Sequence, residues 1–171
     1  MKNPFLGATA MAASLAATNI AVAQCDKNFQ EVTVTGTVDT LVVSQFVQAG
    51  TIDLQLESVK TNKVLFDERG AVVGQITNVD PTNFPIIVTL DHDITFDDRV
   101  KIETTGDQAT VWGDPNSQLY VPVVETLSNF SGTKNFRKAT GEIRATGFLN
   151  VPKFDGLHNE FELSGSLCIK D

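Results

Sequence analysis

His92 is the residue whose type and phase point most directly to chemistry. It follows Ile86, Val88 and Leu90 at steps of two, so a regular strand aims its imidazole inward among apolar side chains. An inward imidazole in a small barrel can orient a ligand or carry a proton. At a strand end it can equally spend its nitrogens on backbone or water, as half-buried histidines commonly do. His158 is the other histidine, and neither a Cys-x-x-Cys pair nor zinc-ligand spacing accompanies them. A nucleophile elbow, a phosphate loop and a dinucleotide fingerprint are also missing, so no catalytic residue and no cofactor is expected from motifs.

Asp91, Asp93 and Asp97, with Asp98 adjacent, make the densest carboxylate cluster. In a strand the first three share the outward face, and a hard cation such as Ca²⁺ takes several such oxygens at once. The glycine and glutamate of an EF-hand loop do not follow, and a solvated hairpin face is the alternative. Trp112 and Tyr120, the single tryptophan and tyrosine, flank the Gly113–Asn116 turn. They stand where a ligand lip at a barrel mouth would be, or where aromatic packing closes a strand end.

The elements that hold these residues read as strands. Val32, Val34, Gly36 and Val38 alternate with Thr33, Thr35 and Thr37. Ile52, Leu54 and Leu56 alternate with Asp53, Gln55 and Glu57, and Val100 and Ile102 with Arg99, Lys101 and Glu103. Phe161, Leu163, Gly165, Leu167 and Ile169 share one face of the last segment. Such period-two alternation gives half-buried strands with one wet face. Turn signals fall at Arg69-Gly70, Asp80-Pro81, Thr105-Gly106-Asp107, Gly113-Asp114-Pro115-Asn116 and Asp155-Gly156. The expected fold is all-β: a single antiparallel β-barrel of about eight strands, with a β-sandwich as the alternative.

The first 23 residues stand apart. Lys2 precedes an uncharged, alanine-rich stretch from Ala8 to Ala23 that ends in Ala21-Val22-Ala23, the pattern of a signal-peptidase site. Cleavage between Ala23 and Gln24 leaves one domain, 24–171, in a secreted or periplasmic compartment. Cys25 and Cys168 are the two cysteines, and an exported chain pairs them. Lipidation of Cys25 is the rival, but Gln24 occupies the place where lipoprotein signals usually carry a small residue. A Cys25–Cys168 bridge requires first and last strands to be neighbours, which closing a barrel provides. Without Lys2 the chain has 12 basic residues against 21 acidic ones. That balance argues against nucleic acid and against docking on anionic lipid, and no segment is long and apolar enough for membrane insertion as a helix. The sequence assigns no oligomeric state.

One stretch carries a family likeness. Phe130-Ser131-Gly132-Thr133-Lys134-Asn135-Phe136-Arg137-Lys138-Ala139-Thr140-Gly141, followed by Glu142 to Gly147, has the form G-T-x-x-F-x-x-A-x-G and then a further Gly. It resembles a strand–turn–strand segment of the allene oxide cyclase and dirigent barrels and of secreted bacterial proteins with a calycin-like barrel. The likeness spans about 40 residues at the C-terminal end, and those barrels more often carry glycine where this chain has Lys134. It implies a barrel whose end Phe136 plugs; no catalytic position of those families matches a residue here. The expected partner is a small apolar ligand held in the barrel. The alternatives are a cyclase- or dirigent-type enzyme steering a reactive intermediate, and a structural or surface-interaction protein with a solid core.

Overall fold

A computed structural model describes residues 25–82, 84–97, 99–113, 121–149 and 158–170. The expected cleavage site at Ala23 and Gln24 lies outside them, as do Asp98 and Tyr120. The alternating segments form β1 (Phe29–Ser44), β2 (Val47–Ser58), β3 (Val64–Asp80), β4 (Ile86–Thr95), β5 (Lys101–Val111), β6 (Val121–Leu127), a two-residue β7 (Ser131–Gly132), β8 (Thr140–Leu149) and β9 (Asn159–Lys170). Every pairing is antiparallel. Going round, β1 to β6 are followed by β8 and β9, and β9 pairs back onto β1, so eight strands close a barrel while β7 adds to β5. Closure removes the free edges that a sandwich of these strands would leave.

The disulfide sits at this seam. Cys25 and Cys168 are bonded with their Cα atoms 5.5 Å apart, and Glu31 pairs with Cys168 in the β1–β9 ladder. The bridge closes a loop with a sequence separation of 143. Chain entropy for a loop of that size favours the folded state by about 5 kcal/mol.

Two sequence-based turns are corrected. Arg69 and Gly70 lie inside β3, paired with Asp53 and Ile52, because β3 runs unbroken for 17 residues. Thr105-Gly106-Asp107 lies inside β5 as a bulge. Leu90 pairs with Asp107 and His92 with Thr104, so two residues of β5 oppose Asp91 alone. Gly106 takes φ +69°, a left-handed value that glycine adopts without a Cβ clash. The Asp91 Oδ1 accepts a hydrogen bond from its amide at 2.8 Å, pinning the bulge.

The two barrel ends differ. At the end holding the disulfide, Phe136 is buried in a one-turn 3₁₀ helix (Lys134–Phe136) between β7 and β8. Its ring stands edge-on to Phe66 at 5.6 Å, and Phe66 stands edge-on to Phe96 at 4.8 Å, so aromatic rings plug that end. Lys134 holds φ +48°, a conformation glycine would take at lower cost. At the opposite end lie the β1–β2 turn and the β3–β4 loop, and β5 and β8 end there. Between the ends, Val32, Val34, Leu54, Leu56, Ile102, Val121 and Leu167 are almost wholly buried. Each buried aliphatic side chain of this size contributes roughly 1.5–3 kcal/mol.

Candidate functional site

The core is not filled throughout. A cavity of about 90 Å³ runs along the barrel axis, walled by Leu54, Leu90, Ile94, Val123 and other aliphatic side chains. His92 and Glu125 are the ionisable residues on its wall among the described residues. His92 faces inward in the phase of Val88, Leu90 and Ile94. Glu125 comes from β6, in the phase of Val121, Val123 and Leu127, all of them buried.

Asp107 reaches the same place because of the bulge. Ahead of it, Ile102 and Thr104 face the core; past it, Asp107, Ala109 and Val111 do, so the buried phase shifts by one residue. Asp107 is fully buried, and its Oδ2 lies 2.8 Å from His92 Nδ1. The Thr104 hydroxyl also donates to Oδ2, and the Ser128 amide donates to Oδ1 at 2.7 Å. Asp107 is therefore saturated, and its bond to Nδ1 fixes the ring and turns Nε2 toward Glu125. Gly74 lies across from His92 in the β3–β4 ladder. A Cβ there would stand 3.0 Å from both Cδ2 and Nε2, so the bare glycine gives the ring its room.

Glu125 Oε1 lies 3.6 Å from His92 Nε2, within ion-pair reach but beyond a hydrogen bond. It is the buried side-chain polar atom without a hydrogen-bond partner among the described residues. Leaving a buried carboxyl oxygen unmatched costs on the order of 1–3 kcal/mol or more, so it is a feature that calls for a partner. Burial pushes the Glu125 pKa up; the His92 charge opposes this and Asp107 adds to it. Burial works to lower the His92 pKa, but the hydrogen bond to Asp107 and the charges of Glu125, Asp107 and Asp91 prevail and hold it above the ordinary value. The site thus places one imidazole between two carboxyl groups, Asp107 with both oxygens hydrogen-bonded and Glu125 with Oε1 unmatched.

Ligand atoms of His92, Asp107 and Glu125 all lie within 4.8 Å of one another, close enough to consider a metal. The donor set fits one poorly. Asp107 already accepts from the imidazole, the Thr104 hydroxyl and the Ser128 amide, which leaves Nε2 and one carboxyl group on a wall whose other polar side chains are the neutral Thr40 and Gln48. A cation site wants at least three such donors. The arrangement suits proton sharing better.

Of the residues singled out from sequence, His92 lies in this site and the other described ones are dispersed. Asp91 is spent on the bulge, and Asp97 Oδ1 accepts the amides of Arg99 at 2.7 Å and Val100 at 2.6 Å. Those bonds, from Arg99 first, hold the Asp97 carboxyl below the usual range. Asp93 is exposed. Trp112 is half-exposed outside the cavity, sharing an outer-wall groove with Pro122 and Phe148. His158 pairs with Asp39 on the surface. Glu125 and Asp107 were missed. Glu125 had a visible signal, a charge in the apolar phase of β6; Asp107 was hidden by the bulge.

No family model matches the chain, and neither the curated proteins nor the solved structures give a match. The fold itself is a disulfide-closed, eight-stranded antiparallel barrel with a buried histidine–carboxyl cluster beside an internal cavity.

Proposed function

We propose that the protein is an exported binding module that holds a compact, largely apolar molecule inside the barrel, anchored by one polar hydrogen on Glu125. The observation that carries this reading is the unmatched Glu125 Oε1 on the wall of an apolar cavity. A ligand hydroxyl or N–H that meets it relieves a desolvation cost the protein otherwise bears. A volume of about 90 Å³ restricts the ligand to a small molecule, well below the 300 Å³ or so that drug-sized ligands require.

Export is supported by the disulfide, which suits an oxidising compartment, and by the signal-like N-terminus. No helix among the described residues is long and apolar enough to cross a membrane. The outward positions of β8 and β9 carry Glu142, Arg144, Thr146, Glu160, Glu162 and Ser164 beside one large apolar side chain, Phe148, all exposed. A water-facing exterior of this kind favours a soluble barrel over one facing lipid. The likeness to the cyclase and dirigent barrels remains a proposal on the C-terminal segment, supported by the burial of Phe136 and the left-handed Lys134.

The test compares phenol with benzene by NMR titration of the cavity methyl groups. Phenol, which brings a donor, binds at least about tenfold tighter, the value of one hydrogen bond to a charged group. Glu125→Leu removes that preference. Equal affinity for the two rings, or no binding of either, sinks the reading. Native mass spectrometry of protein purified from its own host then identifies the resident molecule.

A further inference from the structure

The same wall holds more than a polar anchor. His92 Nε2 and Glu125 Oε1 stand side by side, 3.6 Å apart, on an apolar surface. Asp107 fixes the ring from the far side at 2.8 Å, while Thr104 and Ser128 hold Asp107. A hydrogen-bond donor and a carboxylate base placed so closely can touch one small group at once. That is the arrangement needed to move a proton between carbon and oxygen within a single bound molecule.

We propose that His92 and Glu125 catalyse enolisation of a compact apolar ketone or unsaturated ketone bound in this cavity, an inference that rests on the small apolar occupant of the binding reading above, with the carbonyl oxygen held by His92 Nε2 in place of a polar hydrogen on Glu125. The Glu125 carboxylate removes a proton from the carbon next to the carbonyl. The electrons of that C–H bond become the C=C bond of the enol, and the carbonyl π pair takes the proton from His92 Nε2. The imidazolium becomes a neutral imidazole that keeps its Nδ1 hydrogen bond to Asp107, and Glu125 becomes the acid. Reversal returns the proton to the same carbon. In a β,γ-unsaturated ketone it delivers it to the γ carbon instead, which moves the double bond into conjugation. Protons taken and protons returned balance, and no oxidant, reductant or second substrate enters.

Three features make the pair suited to this chemistry. The apolar wall strengthens the attraction between the donor and a developing enolate oxygen. Burial makes the Glu125 carboxylate a stronger base than an exposed one. The charges facing His92, Asp107 from β5, Glu125 from β6 and Asp91 from its own strand, keep the imidazole protonated more readily than its burial alone would allow. Asp107 acts as a positioning residue, since it touches the ring and not the cavity.

The experiment is deuterium exchange at the α carbon of acetone and cyclopentanone in D₂O, followed by NMR in the presence and absence of the full mature protein. The protein raises the exchange rate well above that of buffer, and Glu125→Gln lowers the protein-dependent rate by about 100-fold, in the range expected of general acid–base groups. His92→Gln gives a similar loss and keeps the test decisive if one variant does not fold. Asp107→Asn retains part of the rate but moves its pH profile, which a purely structural role would not do. Exchange no faster than buffer, or wild-type exchange in both Glu125→Gln and His92→Gln, overturns the proposal. The phenol titration separates the two readings. If phenol binds while exchange is absent, the binding module stands without catalysis; if nothing binds, both fall.

Discussion

Two buried polar clusters contribute to the wall of one cavity inside this barrel, and they are built on opposite plans. Near the mouth, Gln48 Oε1 accepts from the Thr40 hydroxyl and from Asn159 Nδ2, each at 3.1 Å, and Asn159 is fully buried. That cluster links β1, β2 and β9 with neutral groups that satisfy one another. Deeper in, His92, Asp107 and Glu125 join β4, β5 and β6 with charged groups and leave Glu125 Oε1 unmatched. A closed neutral network fastens strands at modest cost. An open charged one costs stability, and such costs are characteristic of sites that meet a ligand. The proposed function thus assigns the mouth cluster to the fold and the deep cluster to the ligand.

Truncation at the mouth gives the largest effect. Asn159→Ala strips donors from Gln48 and Thr40 and lowers stability by about 2 kcal/mol, measured by urea denaturation, while the phenol-over-benzene preference is kept. Loss of that preference would mean the two clusters are not separable.

Truncation at the deep cluster has the opposite sign. Glu125→Gln removes a buried charge without changing the side chain's shape, and at pH 8 it raises stability by about 1 kcal/mol. A clear destabilisation at pH 8 would show that Glu125 serves the fold, as Asn159 does.

The pH dependence of melting sharpens the same contrast. His92 and Glu125 both have folded-state pKa values raised above the ordinary 6.5 and 4.5. Each binds its proton more tightly when folded, so its contribution is full below the ordinary value and is lost as pH rises through the raised one. Each group contributes a slope of at most about 1.4 kcal/mol per pH unit while it titrates. Asp97 acts oppositely: its pKa is held down, so its contribution is present above 3.8 and lost as pH falls. Thermal melts therefore show a decline in stability beginning near pH 4.5 for the wild type, and Glu125→Gln, which removes that group and one of the charges that raise the His92 pKa, loses this part of the decline. Coincident profiles for the two proteins would contradict the raised Glu125 value.

Gly74→Ala is the gentlest probe. The added methyl at 3.0 Å from the His92 ring shifts Nε2 by a few tenths of an ångström. Stability falls by less than about 1 kcal/mol, and phenol binding weakens a few-fold. An unchanged affinity would show that the ring position does not matter to the site.

Much of the barrel was legible because period-two alternation, two cysteines at the chain ends and an unbroken strand pattern all demanded closure. Val34 facing Leu56 across β1 and β2 needed nothing beyond the pleat. The long β3 was less legible, since Arg69-Gly70 mimics a turn while its neighbours pair on both sides. His92 could be found because it keeps the apolar phase of β4. Asp107 could not, because one bulge at Thr105–Gly106 reverses which residues of β5 face inward. The apolar residues record that switch, in Val100 and Ile102 before it and Ala109 and Val111 after it. Asp91, Asp93 and Asp97 drew attention by density, yet density on an exposed strand face reports solvation more often than ligation.

The central claim is that Glu125 is a buried carboxyl awaiting a partner in the barrel. Its most direct test is the pH titration of the Glu125 ¹³Cδ chemical shift, recorded with and without phenol. The account predicts a midpoint above the ordinary 4.5 in the free protein and a displaced curve when phenol is bound. A midpoint at the ordinary value, unmoved by phenol, would contradict it.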